Sequence, residues 1–261
     1  MALTEQAAVD VADLERRVKD VYRLVAQQPE QQYHFEMGRG LAERLGYPAD
    51  LLDRIPEQAL ASFAGVGHFL DLLDDLQGRR VLDLGSGSGT DSFAAASLVG
   101  PGGLVTGVDM TPEQLAKAEA LRAAADLDNV RFVKGYIESP PVPAASYDAV
   151  MSNGVINLSP DKPAVFRAVA RALVPGGRLA LSDIVTERPL TEAIVCNAEL
   201  WASCIGGAAQ VDDYRAAIES AGLRIETVRD NDAYAFLSDS ARGATETYGI
   251  KSISLLAVKP L

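Results

Sequence analysis

The sequence predicts an α/β fold with a doubly wound, mostly parallel sheet of seven strands. Three observations support this fold class. A short apolar run at 81–84 leads into a glycine-rich turn, a helical pattern follows the turn, and apolar runs then alternate with helical patterns along the chain. Such alternation is typical of parallel strands joined by helices that cover both faces of a sheet. The carboxyl ends of these strands form one edge, where ligands bind.

The predicted elements follow one another in a regular order. The strands are expected at 81–84, 104–109, 130–134, 147–152, 178–183, 223–229 and 252–258. The helices between them are expected at 91–98, 112–125, 162–173 and 212–221. The last two strands could pair antiparallel at one edge, so the sheet is predicted to be mostly, not wholly, parallel.

The N-terminal third precedes the first strand and is expected to lie outside the sheet. We predict a helical cap or extension at 1–76 and a core domain at 77–261, with a substrate-side insertion at about 185–210. Residues 5–27 have the apolar spacing of an amphipathic helix, and 57–76 form a second helical stretch interrupted by glycine. A cap over the ligand pocket is the favoured interpretation, and a cover for one sheet edge is the alternative.

Composition and charge argue against several classes of protein. Of 261 residues, 48% are hydrophobic, and the formal net charge is −12. We therefore expect neither a nucleic-acid partner nor an anionic membrane, since both attract basic surfaces. The N-terminus has no basic segment followed by an apolar run, which predicts a cytoplasmic protein. Cys196 and Cys204 would lie about 12 Å apart along a helix, too far for a disulfide. His34 and His68 are the two histidines, so no metal site is expected.

The turn after the first strand separates two classes of cofactor. Glycine at positions 85, 87 and 89 permits positive φ angles and a close approach of a ligand to the backbone. A dinucleotide site has G-x-G-x-x-G spacing and holds a pyrophosphate at the helix N-terminus. Here the spacing is G-x-G-x-G, and Asp83 before it would repel a phosphate. The turn favours S-adenosylmethionine, which has a cationic end and becomes S-adenosylhomocysteine. A nicotinamide-dependent dehydrogenase is the disfavoured alternative.

The ends of the other strands supply further candidate cofactor residues. Asp109 ends the second strand about 20 residues past the turn, where a carboxylate can accept both ribose hydroxyls. Met110 could pack on the adenine, and the Ile137 amide or Glu138 could read its edge, although Glu138 could equally be a surface acid. The full predicted set is Asp83, Gly85, Ser86, Gly87, Gly89, Asp109, Met110, Gln114, Tyr136, Ile137, Glu138, Asn153, Gly154 and Val155.

Candidate catalytic residues come from the fourth strand, the cap and the insertion. They are His34, Glu36, Asn153, Glu199, Trp201 and Cys204. Asn153 ends the fourth strand and could orient the cofactor's amino-acid end or the acceptor. His34, Glu36 and Glu199 are candidate bases, because an oxygen, nitrogen or carbon acceptor loses a proton. Trp201 and Cys204 would form the acceptor side, with plain packing an equal alternative for the indole.

Several segments resemble the arsenite methyltransferases, a family of class I S-adenosylmethionine-dependent methyltransferases. They are the runs at 81–89, 107–115, 134–138, 152–162 and 200–204. The first run is common to many S-adenosylmethionine-dependent methyltransferases, whereas the last two are more specific to this family. The resemblance implies a Rossmann-like sheet, S-adenosylmethionine as the cofactor, and methyl transfer as the reaction.

The resemblance also implies cysteine thiolates that bind trivalent arsenic, a soft centre that needs soft ligands. This chain has Gly154 and Val66 at two of those positions and keeps only Cys204. We therefore predict methyl transfer to a small-molecule acceptor that is organic. One alternative is arsenite, or another soft element or thiol, held by Cys204. An alternative of a different class is a non-catalytic protein that binds S-adenosylmethionine.

Overall fold

The computed structural model describes residues 9–197, 201, 205–237 and 239–261. The strands are β1 (Arg80–Leu84), β2 (Leu104–Asp109), β3 (Val130–Lys134), β4 (Tyr147–Asn153), β5 (Leu173–Thr186), β6 (Ala209–Gln210), β7 (Arg224–Asp230) and β8 (Lys251–Val258). The helices are α1 (Val11–Gln27), α2 (Arg39–Arg44), α3 (Ala49–Leu52), α4 (Glu57–Ala61), α5 (Thr90–Val99), α6 (Pro112–Ala124), α7 (Lys162–Ala172), α8 (Glu192–Val195), α9 (Val211–Ser220) and α10 (Asp239–Tyr248). Short 3-10 turns lie at Leu70–Leu72 and Ile156–Leu158.

The strands that the structure describes belong to one sheet, in the order β3-β2-β1-β4-β5-β8-β7, with β6 beside β5. The strands from β3 to β5 are parallel, and β8 runs antiparallel to both β5 and β7. This confirms the predicted doubly wound, mostly parallel sheet with its antiparallel edge. The two-residue strand β6 pairs with the end of β5 and adds an eighth strand to the seven predicted. The strand order reverses between β1 and β4, and ligands bind at such a reversal.

The sheet is covered on both faces because successive strand residues point to opposite sides. Val81 packs into the cluster beneath α2, α3, α4 and α5. Leu82, the next residue, packs into the cluster beneath α7 and α9. Helix α5 is buried on nearly all sides, which fits its small side chains and holds its first turn against the glycine turn. No helix among the described ranges is long and apolar enough to cross a membrane.

The N-terminal third differs from its prediction in one respect. Helix α1 is present, and its N-cap Asp10 accepts hydrogen bonds from the next turn. The helical stretch predicted at 57–76, interrupted by glycine, is confirmed only in part: regular helix spans Glu57–Ala61, the glycines lie in an extended segment, and only a 3-10 turn at Leu70–Leu72 follows. Side chains of the sheet form hydrogen bonds with the backbone of that segment. Asn153 Oδ1 accepts from Val66 N at 2.8 Å, and Ser252 Oγ donates to Val66 O at 2.6 Å.

Candidate active site

A cavity of about 370 Å³ lies beyond the carboxyl ends of β1, β2 and β4. Its size falls within the range of small-molecule sites, about 300–1,000 Å³. The predicted cofactor residues that line it are Asp83, Gly85, Ser86, Gly87, Asp109, Met110, Gln114, Tyr136, Ile137, Glu138, Asn153 and Val155. Gly89 and Gly154 were also predicted but do not border it. The fold therefore gathers strand ends that are distant in sequence around one space.

The glycines of the turn have different roles. Gly85 has a φ of +78°, and a Cβ there would lie 2.4 Å from the Val155 side chain. Gly87 has a φ of +52° and presents bare backbone to the cavity. A Cβ at Gly89 would meet Phe93 and Phe132, each at 2.8 Å. The first two glycines therefore shape the ligand space, while the third permits close packing of α5 against β3.

Two buried carboxylates lie side by side in the wall. Asp83 Oδ2 accepts from Ser92 Oγ at 2.6 Å, and burial together with the charge of Asp91 raises the pKa of Asp83 well above its usual value. Asp91 Oδ1 accepts from the Tyr47 hydroxyl at 2.5 Å, and burial raises the pKa of Asp91 to about 6. Within the described part of the chain, no cation is paired with either carboxylate. The wall is therefore suited to a ligand that carries positive charge.

Asp109 fixes the glycine turn from the neighbouring strand. Its Oδ2 accepts from Gly87 N at 2.9 Å, and its Oδ1 accepts from Thr111 N at 2.8 Å. Burial raises the pKa of Asp109. Each carboxylate oxygen can accept a second hydrogen bond, so the predicted role toward a ribose is compatible with these contacts.

Replacing Asp109 with asparagine is expected to lower the free energy of unfolding by about 1–3 kcal/mol and to weaken cofactor binding. An asparagine has one acceptor oxygen, so it would leave the amide of Gly87 or Thr111 unpaired. Chemical denaturation and calorimetry measure the two effects. Asp148→Asn is the matched control, because Asp148 accepts a backbone bond from Arg80 N outside the cavity. Equal loss of cofactor binding in both variants would contradict this role of Asp109.

Sequence reasoning missed Tyr47 and did not assign Asp91 to the site. Asn153 Oδ1 accepts from Val66 N, and its Nδ2 lies 3.1 Å from the Tyr47 hydroxyl and 3.1 Å from Asp91 Oδ2. The signal for Asp91 was its place in the first turn after the glycines, which also suits an ordinary helix start. Tyr47 had no local signal, because it reaches the site from a loop 44 residues before Asp91.

Helix α1 forms one wall of the cavity. Leu14, Val18 and Tyr22 border the space, and Gln114 Nε2 donates to the backbone oxygen of Tyr22 at 2.8 Å. The Tyr136 hydroxyl donates to Glu15 Oε1 at 2.7 Å, which ties α1 to the loop after β3. These contacts place an N-terminal helix over the site, while the division of the chain at residues 76 and 77 stays a prediction.

Comparison with known proteins identifies the kind of site. A methyltransferase domain model matches residues 75–222. The chain belongs to this methyltransferase family. An arsenite methyltransferase from Halobacterium salinarum is 41% identical over 199 residues, which cover 76% of this chain and 51% of that protein. The solved arsenic(III) S-adenosylmethionine methyltransferase from Chlamydomonas reinhardtii is 30% identical, with a TM-score of 0.64 and coverage of 87% of this chain and 75% of that one.

The chain is also similar to an O-methyltransferase. A nocamycin O-methyltransferase from Saccharothrix syringae is 39% identical over 123 residues, which cover 47% of this chain and 44% of that protein. The chain spans about half the length of the curated relatives it matches. The resemblance to arsenite methyltransferases that the sequence motifs indicated is confirmed.

The predicted catalytic residues are scattered. Asn153 lies in the cavity wall, whereas His34 and Glu36 do not border the cavity. The His34 ring packs edge-on against the Phe35 ring, with the two ring centroids 4.6 Å apart, and Glu36 forms an ion pair with Arg44. Neither is therefore placed to take a proton from an acceptor within the cavity, and their catalytic role stays a prediction.

The insertion is only partly described. Glu199 and Cys204 lie outside the described residues. Trp201 is buried, its Nε1 donates to Val195 O at 2.6 Å, and Lys162 Nζ lies 4.9 Å from its ring centroid. Trp201 does not border the cavity, and these contacts are those of packing. No group of metal-binding side chains is found in the described part of the chain.

The two positions without cysteine, 66 and 154, are neighbours in this chain. A Cβ at Gly154 would lie 3.1 Å from Val66 Cγ1, and Gly154 has a φ of +69°. Val66 is 2% exposed and belongs to an apolar cluster with Leu158, Ile184 and Trp201. The place where the resemblance implies thiolates is therefore filled by an apolar side chain and a glycine.

Proposed function

We propose that this methyltransferase transfers the methyl group of S-adenosylmethionine to a small organic acceptor. The observation that carries the proposal is the pairing of bare backbone at Gly85 and Gly87 with the buried carboxylates of Asp83 and Asp91. Buried carboxylates without a counter-ion are costly, and a cationic ligand relieves that cost. The same charges disfavour a diphosphate, and therefore a nicotinamide dinucleotide.

When bound, S-adenosylmethionine supplies a methyl group on a positively charged sulfur. Asp83 and Asp91 would hold its cationic end beside the bare backbone at 85–87, which would leave its methyl group facing the acceptor. The residues of the chain bind the cofactor, orient it toward the acceptor and exclude water from the site. Holding the reacting groups aligned at about 3–3.5 Å can supply roughly 7–11 kcal/mol. The Leu14 and Val18 side chains of α1 cover the site and support water exclusion.

An organic acceptor is supported by what replaces the thiolates. Val66 and Gly154 offer no soft ligand, and Cys204 alone cannot supply a site of several sulfurs. The likeness to a nocamycin O-methyltransferase also favours an oxygen acceptor. A second candidate is methylation of arsenite or another soft acceptor through Cys204, which the 41% identity to an arsenite methyltransferase favours.

The test is transfer of a labelled methyl group from S-adenosylmethionine to arsenite, to thiols and to a panel of phenols, acids and amines. Labelled organic product, with little or no label on arsenite, is the expected result, and Asp83→Ala is the inactive control. Rapid labelling of arsenite would overturn the organic acceptor. Binding of S-adenosylmethionine without labelling of any acceptor would favour the non-catalytic alternative.

The double variant Val66→Cys/Gly154→Cys is expected to bind arsenite at least about tenfold more tightly than the wild type. The two thiolates would be adjacent, and trivalent arsenic prefers several sulfur ligands. The left-handed backbone at Gly154 adds a stability cost of about 1–2 kcal/mol. Trp201, the single tryptophan, gives a fluorescence signal for the titration. Each single variant is a matched control, and wild-type affinity equal to that of the double variant would support the arsenite alternative.

A further inference from the structure

One corner of the cavity is built from three separate segments. Asp91 begins α5, Tyr47 lies in the loop after α2, and Asn153 ends β4. The Tyr47 hydroxyl donates to Asp91 Oδ1, and Asn153 Nδ2 donates to Oδ2. Asp91 is 8% exposed and borders the cavity. Its carboxylate is therefore held in a fixed orientation while it keeps access to the ligand space.

The charge of this corner is not balanced by the protein. Tyrosine and asparagine are neutral donors, so they orient the carboxylate without cancelling its charge. The described residues that line the cavity include Glu15, Asp83, Asp91, Asp109 and Glu138, and none is lysine, arginine or histidine. The charged side chains that a cation would meet in this space are therefore all carboxylates, of which Glu15 is already paired with Lys19.

We propose that Asp91 binds the α-ammonium group at the methionine end of the cofactor, and that Tyr47 positions it. The proposal rests on the proposed function, because it takes S-adenosylmethionine as the ligand. Each carboxylate oxygen has a remaining lone pair for an ammonium donor. Asp83 also borders the cavity, but it is only 2% exposed and accepts a hydrogen bond from Ser92, so Asp91 is the more accessible of the two carboxylates. Tyr47 thus makes the loop after α2 part of the cofactor site.

The experiment uses calorimetry to measure the Kd of three ligands for the wild type and for the Asp91→Asn variant. S-adenosylmethionine and S-adenosylhomocysteine both carry the ammonium group, whereas 5′-methylthioadenosine lacks the amino-acid end. We expect the Kd of the first two to rise about 10- to 100-fold, and that of the third to change less than about twofold. Equal losses for all three ligands, or unchanged binding of the first two, would overturn the assignment. If wild-type protein binds none of them, the proposed function itself fails.

Two further variants separate this role from a general loss of structure. Asp91→Asn keeps the shape and removes an uncompensated buried charge, so the melting temperature without ligand is expected to stay level or rise. Tyr47→Phe keeps the ring packing on Phe63 and His68 and should raise the Kd of S-adenosylmethionine about three- to tenfold. Asp148→Asn lies outside the cavity and should leave the Kd of all three ligands unchanged.

The pH dependence of binding gives an independent measure. Asp91 is faced by Asp83 and Tyr47, with His68 behind the tyrosine ring and Asp109 beyond Asp83. Because burial raises the pKa of Asp91 to about 6, protonation below that pH removes its attraction for the ammonium group. In this range the slope of log Kd against pH should be steeper in wild type than in Asp91→Asn by about one unit, which corresponds to the uptake of one proton. Identical slopes would overturn the assignment.

Discussion

Replacing Gly85 with alanine is expected to abolish measurable cofactor binding and to lower the free energy of unfolding by about 2–5 kcal/mol. The backbone at this position has a φ of +78°, which an L-residue adopts at a cost. The added methyl carbon would also lie 2.4 Å from the Val155 side chain. Gly85 follows β1 and Val155 follows β4, so relief of the clash would push apart the two walls of the cavity.

Gly78→Ala is the matched control for that variant. Gly78 has a φ of +73°, and a Cβ there would meet no atom within 4 Å. The control should show only the backbone cost, about 1–2 kcal/mol, and unchanged binding of S-adenosylmethionine. Chemical denaturation and calorimetry compare the pair. Equal loss of stability in the two variants would show that the contact with Val155 does not determine the shape of the turn.

The glycine turn could be predicted because its signals are local. An apolar strand, three glycines and a helix start lie within about fifteen residues, and each follows from the conformational preference of its own residue types. The separate role of Gly89 could not be predicted. It depends on Phe132, which the fold brings from β3 to the side of α5.

The N-terminal third was harder to predict because distant side chains decide its structure. The helical pattern at 57–76 does not form regular helix beyond Ala61. There the backbone of Val66 is hydrogen-bonded to the side chains of Asn153 and Ser252, which are 87 and 186 residues away in sequence. Two of the candidate bases chosen by residue type, His34 and Glu36, do not border the cavity. Nothing in the local sequence around Glu36 distinguishes a surface partner of Arg44 from a residue of the cavity.

Asn153→Leu is expected to have the second large effect, with a loss of about 3 kcal/mol or more in the free energy of unfolding. The side chain of Asn153 accepts from Val66 N and lies within hydrogen-bond distance of the Tyr47 hydroxyl, Gly67 O and Asp91 Oδ2. Leucine has a similar size but would leave these buried groups without that partner. The variant should also bind S-adenosylmethionine more weakly, because Asp91 would lose a hydrogen bond that lowers its pKa.

Asn129→Leu separates the two consequences of that change. Asn129 Nδ2 donates to Ala96 O at 2.8 Å and to Gly100 O at 3.0 Å, away from the cavity. This control should lose about 1–3 kcal/mol of stability and keep its affinity for the cofactor. If both variants lost stability and neither lost affinity, Asn153 would be a structural link between the N-terminal segment and the sheet. Loss of affinity in Asn153→Leu alone would mean that the same hydrogen bonds that join these segments also shape the cofactor site.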